Sequence, residues 1–341
     1  MSTDDNHSSM TLRRKLRQLG LSDPALQAAW PTWWSEDAEA SPSAVSELRF
    51  SVARKLGLDP RSLLEASDGP RFLWKDEARF KHLTGESEAE QSAMTSFGSA
   101  LARLLAGASV DPKSNETLTA VRLRKMLLGT APFIGLPELL QAAWALGIPV
   151  VHLRVFPCER KRMAAMAARG GNHDSILLAK DSDYPAQISF YLAHEIGHVL
   201  LGHLDRTSVW LDVEVGARSE VDTDEQAADE FALELLTGQK KLQVLPTVSR
   251  FSGRQLAKAV TQASAEYQIE PGTLAMCLGY TTGNWRSANA AMPYIYGVAK
   301  PAWVEVNRVA VQQLHLELLS DDSRSYVSRI LGESGLDEHA H

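Results

Sequence analysis

The run His194-Glu-Ile-Gly-His198 constrains this chain more tightly than any other part of it. Side chains four residues apart stand on one face of a helix, one turn above each other, with Cβ atoms about 5–6 Å apart. The segment from about Ala186 to Leu201 is expected to be that helix. Two imidazoles on it can reach one zinc ion at about 2.0–2.1 Å, with Glu195 directed at the water that the metal activates. A zinc site that does chemistry needs a third protein ligand and an open position. Downstream, His203, Asp205, Asp212, Glu214, Glu220, Asp222, Asp224 and Glu225 are candidates for that ligand.

The charge distribution points to the same stretch. Net charge is −7, and residues 191–245 alone hold 4 basic and 11 acidic side chains. Glu225 opens the run Glu225-Gln-Ala-Ala-Asp-Glu-Phe-Ala-Leu-Glu-Leu-Leu236, whose apolar residues recur at helical spacing. A helix from about Asp224 to Leu236 must therefore bury one face. Gly197 and the Ala227-Ala228 pair are small, which lets the two helices approach closely. Gly197 costs about 1 kcal/mol against Ala in a helix interior, so a packing reason is expected. Asp229, one turn beyond Glu225, is then placed to hold the free ring nitrogen of a ligand histidine.

The two-part pattern, His-Glu-Ile-Gly-His-Val-Leu-Leu-Gly-His followed by Glu-x-x-Ala-Asp-x-Phe-Ala-x-x-Leu-Leu, resembles the ImmA/IrrE family of metallopeptidases. The lead-in Ile188-Ser-Phe-Tyr-Leu-Ala193 and the helix and two strands upstream are similar to that family too, so the likeness spans roughly residues 135–245. It implies one zinc per chain, held by His194, His198 and Glu225, with Glu195 as general base. It also implies a gluzincin-like α+β core and a protein substrate. That substrate would be a helix-turn-helix transcriptional repressor, cut in a stress, DNA-damage or phage response. Ala227 stands where an extra acid often appears, and no Met-Pro follows Leu236; neither departure touches a proposed ligand.

Around that core the chain reads as helical. Residues 1–10 form a polar tail without the apolar stretch of a signal peptide. Helices are expected over Leu12–Leu19, Ala44–Leu56, Arg61–Ala66, Gln91–Ala106 and Thr117–Leu128. Leu136–Leu146 is a further helix, and Val150–Phe156 a strand with Val151, Leu153 and Val155 on its buried face. Ser175–Ala179 is a second strand after a Gly170-Gly171 turn. Helices follow at Gln255–Tyr267, Gly272–Leu278, Trp303–Leu319 and Ser323–Leu331. The organisation expected is a helical region 11–130, a zinc core 131–245 and a helical region 246–341. Hydrophobic residues at 44% and charged residues at 23% exclude a disordered chain. Two cysteines exclude a disulfide scaffold and fit a reducing, cytoplasmic setting. The apolar stretch Met126–Val151 is broken by three prolines and by polar residues, so no membrane span is expected.

Other features carry weaker signals. Phe50 to Leu64 has Ala53, Gly57 and Leu63 at helix-turn-helix spacing, within a span of about 45–67, and Arg61 and Ser62 would open its recognition helix. The absence of a basic excess over residues 1–110 argues for a packing module rather than a tight DNA reader. Glu159-Arg-Lys-Arg162 could meet a nucleic acid or an anionic activator weakly. Tyr191 and His203 are the candidates for stabilising an oxyanion. Cys158, at the end of the first expected strand, is a candidate inhibitory zinc ligand, and Cys277 in its apolar helix reads as inert. The expected function is a zinc endopeptidase. The alternatives are a regulatory or toxin–antitoxin binding protein that keeps the zinc fold, and a DNA-binding regulator acting through residues 45–67.

Overall fold

The computed structural model describes residues 9–64, 69–74, 78–80, 88–110, 118–161, 163–205, 207, 209–213, 223–246 and 251–336. Four helices lead: α1 (Ser9–Gln18), α2 (Asp23–Ala29), α3 (Pro42–Leu56) and the short α4 (Pro60–Leu64). Strand β1 (Ala78–Phe80) is followed by α5 (Glu88–Gly107), α6 (Ala120–Leu127) and α7 (Leu136–Ala145). The sheet is then completed by β2 (Val150–His152), β3 (Met163–Gly170), β4 (His173–Leu178) and, after α8 (Pro185–Leu200), β5 (Val209–Val213). Next come α9 (Thr223–Thr237), α10 (Gly253–Tyr267), α11 (Pro271–Thr282), α12 (Trp285–Tyr296), α13 (Ala302–Gln313) and α14 (Asp321–Leu331). The architecture is α+β, helix-rich with one mixed sheet. Among the described residues no helix is long and apolar enough to cross a membrane.

The strand order is β1-β5-β3-β4-β2. β3 and β4 form a hairpin through Gly171 at φ +67°, with Gly170 paired to His173, and β3 also pairs antiparallel with β5. β1 and β2 lie parallel to their neighbours at the two edges. Alternation along the strands splits the side chains between two cores. Val151, Met166, Ala168 and Leu177 face a first core with residues of α1–α3, α5 and α14. Val150, Ala165, Ile176 and Leu178 face a second core with α6, α7, α8 and α9. Gly98 of α5 lies so close to the first face that a Cβ there would overlap the Met166 sulfur. A third, smaller core joins α10, α11 and α12.

Several sequence expectations change here. Helix α1 begins at Ser9, so residues 9 and 10 belong to it, while residues 1–8 lie outside the described residues. Core membership crosses the boundaries at 130 and 245, because the first core runs from Leu12 to Leu331. The strand expected over Val150–Phe156 stops at His152, and His152 is fully buried rather than on an open face. The His152 ring turns in to the Lys180 carbonyl at 2.9 Å, and Asn307 of α13 covers the outer edge of β2. Its Oδ1 accepts from the His152 N–H at 2.7 Å, and its Nδ2 donates to the His152 carbonyl at 2.8 Å. A side-chain amide thus supplies the bonds that another strand would make. Strand β3 and helix α12 were not expected at all, and α13 ends at Gln313 rather than running on to Leu319.

The helix-turn-helix spacing is used for packing. Gly57 ends α3 at φ +71°, and a Cβ on it would fall on the Ser96 carbonyl of α5. Ala53 and Leu63 are buried, and so is Ser62, whose hydroxyl donates to the Asp59 carbonyl and accepts from the Arg71 N–H. Ser62 therefore faces inward, and only Arg61 of the expected pair is exposed.

Candidate metal centre

Helix α8 starts at Pro185, which presets φ for the first turn, and buries Ile188, Leu192, Ala193 and Ile196 in the second core. That burial fixes the rotation of the helix about its axis, which brings His194 and His198 onto the face met by α9. Helix α9 buries Ala228, Phe231, Ala232 and Leu235, and its first turn carries Glu225. The two helices touch where the glycine predicted it. A Cβ on Gly197 would lie 3.3 Å from the Ala228 Cα, the Ala228 carbonyl oxygen and the Phe231 Cβ.

His194, His198 and Glu225 come together in one buried group whose ligand atoms all lie within 4.8 Å of one another. The two Nε2 atoms are 2.9 Å apart. Glu225 Oε2 is 3.6 Å from His194 Nε2, and its Oε1 is 3.7 Å from His198 Nε2. Ligands of a tetrahedral zinc at 2.0–2.1 Å stand about 3.3 Å from each other. The three observed separations bracket that value, so the residues fit a metal ion of this size. The chemistry of the set agrees, since two imidazoles and a carboxylate, all at most 4% exposed, form the ligand class that borderline divalent metals take. Burying carboxylates is costly unless a positive charge compensates them, and both Glu195 (0% exposed) and Glu225 are buried here.

Behind these three residues the structure places further contacts. Asp229 Oδ1 lies 3.0 Å from His194 Nδ1, the contact expected from its position one turn past Glu225. His203, weighed as an oxyanion donor, sits elsewhere. Helix α8 ends as Gly202 turns left-handed at φ +73°, and a single 3-10 turn over His203–Asp205 folds the chain back. His203 Nδ1 thereby comes 2.7 Å from His198 Nδ1, and His203 Nε2 lies 3.8 Å from Asp224 Oδ1. The sequence pattern gave no hint of this arrangement beyond Gly202 after the helix end.

The remaining candidates are distributed as follows. Tyr191 is half-buried, with its ring 6.4 Å from that of Phe190, and packs on the second core. Asp205 pairs with Arg169 at 2.8 Å. Glu214, Glu220 and Asp222 lie outside the described residues, as does the Asp212 side chain. Cys158 corrects the inhibitory-ligand expectation. Its sulfur is buried in the first core, 3.8 Å from the Glu90 carbonyl at the start of α5, whereas α8 packs on the other face of the sheet. The chain leaves β2 towards α5, and the strand end alone could not tell which face it would take. Cys277 is buried, which pushes its thiol up to about 12. In the basic run, Lys161 is engaged at 2.9 Å by Asp181, and Arg162 lies outside the described residues.

Comparison with models of protein families, with curated proteins and with solved structures returns no match.

Proposed function

We propose that this chain is a zinc-dependent endopeptidase of the ImmA/IrrE kind, with a gluzincin-like core and a specific protein as substrate. The observation that carries the reading is the convergence of His194, His198 and Glu225 from two helices locked together at Gly197 and Ala228. His194, His198 and Glu225 would hold the ion, and Asp229 would orient His194 through its Nδ1. Bound there, zinc supplies Lewis acidity towards a peptide carbonyl and towards water. Glu195, buried between the two histidines in sequence, takes the proton of the attacking water and delivers it to the leaving amine. The helix-turn-helix repressor as substrate follows from the sequence resemblance, and the cytoplasm as its setting from the presence of only two cysteines, not joined in a disulfide.

The test combines metal analysis with one conservative substitution. Purified protein should carry one zinc per chain, and His194→Ala, His198→Ala and Glu225→Ala should each lose most of it. Glu195→Gln should retain zinc and lose cleavage of a co-expressed repressor by at least 100-fold, because a base is removed and no ligand is. A Glu195→Gln protein that still cleaves would remove Glu195 as the base, and a zinc-loaded parent that does not cleave the repressor would defeat the peptidase reading. A Glu225→Ala protein that holds zinc like the parent would move the third ligand to Glu220 or Asp222.

A further inference from the structure

The two ligand histidines are held from behind in different ways. His194 meets a carboxylate directly, at 3.0 Å from Asp229. His198 meets another imidazole, His203, at 2.7 Å between their Nδ1 atoms. Two ring nitrogens at that distance share one proton, so one of them donates and the other accepts. The geometry at the opposite nitrogens decides which. His198 Nε2 faces His194 Nε2 and Glu225, where a ligand needs its lone pair bare. A neutral imidazole with bare Nε2 carries its proton on Nδ1. His198 is then the donor and His203 Nδ1 the acceptor, which leaves the His203 proton on Nε2. That nitrogen lies 3.8 Å from Asp224 Oδ1, an electrostatic contact rather than a direct hydrogen bond. His203 is 6% exposed, and its backbone is set by the Gly202 turn, so the ring is held by the fold.

We infer that His203, backed by Asp224, is a positioning residue that keeps His198 in the tautomer able to bind metal. The inference rests on the metal-centre reading above and adds a part to it. In the reverse arrangement His203 would donate, His198 would be protonated at Nε2, and the second ligand would be lost. Asp224 opposes that arrangement because its charge favours a proton on the near side of His203. The segment His203 to Glu225 therefore acts on the site at both ends. Asp224 supports His198 through His203, and Glu225, the next residue, is a ligand itself.

The direct test is a long-range proton–nitrogen NMR spectrum of the zinc-loaded full chain labelled with nitrogen-15 in histidine. The expected result is His198 protonated at Nδ1 and His203 protonated at Nε2. A His203 proton on Nδ1 overturns the inference whatever the activity. Substitutions give a second readout, zinc affinity by competition with a chelator. His203→Leu, which has no acceptor, should weaken zinc by about 10–100-fold. His203→Asn, whose Oδ1 can accept near the Nδ1 position, should stay within a few-fold of the parent, and Asp224→Asn should fall between the two. The visible spectrum of the cobalt-substituted protein should change in His203→Leu and be restored in His203→Asn. A parent that binds zinc alongside a His203→Leu protein that binds it equally well overturns this inference alone. A parent that binds no zinc overturns the metal centre as well.

Discussion

The Cα of Ala228 lies so close beneath Gly197 that a Cβ built on the glycine would stand 3.3 Å from it. The neighbours at that distance include backbone of α9, which can yield only if the helix carrying Glu225 moves. Gly197→Ala gains about 1 kcal/mol in helix propensity, but displacing α9 by a few tenths of an ångström opposes it. The expected outcome is a protein about as stable as the parent whose metal affinity is lower. Thermal unfolding and chelator competition on the same sample check both halves; unchanged affinity would show that the helix contact does not set the ligand geometry.

Removing the metal should loosen the fold. An ion that only the native state binds adds RT ln(1 + [M]/Kd), about 4 kcal/mol at a thousandfold excess over Kd. The parent should therefore melt at a lower temperature in chelator. Glu225→Ala should melt at the same temperature with and without it. A parent whose midpoint ignores the chelator argues against a buried ion.

Lys55 of α3 is 1% exposed, and its ammonium lies 2.6 Å from Asp322 at the start of α14. Burial pulls its pKa below the ordinary lysine value, and the hydrogen bond and charge of Asp322 push it back up. Asp322→Ala would leave the ammonium with the Ala29 carbonyl, 3.0 Å away, and a loss of about 3 kcal/mol is expected. Lys55→Met combined with Asp322→Ala should recover most of that. Urea unfolding of the single and double variants decides it, and a double variant no better than the single one refutes the charge argument.

His152 predicts an acid-sensitive stability. Its Nε2 donates to the Lys180 carbonyl at 2.9 Å, and Nδ1 has no hydrogen-bond partner among the described residues. Burial holds the ring at a pKa of about 4, against 6.5 in the unfolded chain; Lys161 and Arg154 push the same way and Asp181 opposes them. Between pH 6.5 and pH 4 the unfolded chain takes up a proton there and the native one does not. Stability should fall as pH drops through this window, by on the order of 3 kcal/mol when it is fully traversed. His152→Leu removes this component, so its loss between pH 7 and pH 4.5 should be smaller than the parent's in denaturant titrations. Equal losses would assign the acid sensitivity to other groups.

The parts of the site that were legible in the sequence are those set by helical spacing alone. His194 with His198, and Glu225 with Asp229, each lie one turn apart, and Gly197 with Ala228 marked where the helices would meet. What was not legible depends on how the chain turns or on what lies alongside. His203 reaches His198 only because Gly202 turns left-handed. β3 reads Met-Ala-Ala-Met-Ala-Ala-Arg-Gly, without one β-branched residue, and is a strand because β4 and β5 pair with it on both sides. α12 carries Pro293 in its interior, which hid the helix. The alternation read from Val150 to Phe156 failed at His152, whose ring is buried on the Lys180 carbonyl, and Asn307, from 155 residues away, covers the outer edge of β2.

The first core draws one side of the sheet, with Val151, Met166 and Leu177, together with Leu16 and Leu26 from early in the chain and Tyr326 and Ile330 from late in it. During synthesis α5 is already in place to cover β3 and β4, but the core it shares with α2 and α3 stays open until α14, which packs on all three helices, has left the ribosome, long after the helices carrying His194, His198 and Glu225 have emerged. Closure over such a sequence separation is slow, and the waiting intermediate exposes the apolar sides of α2, α3 and α5 to aggregation or to chaperones. A fragment cut to residues 131–245 would keep every proposed ligand and yet, without α5, bare the sheet face that holds Met166 and Leu177.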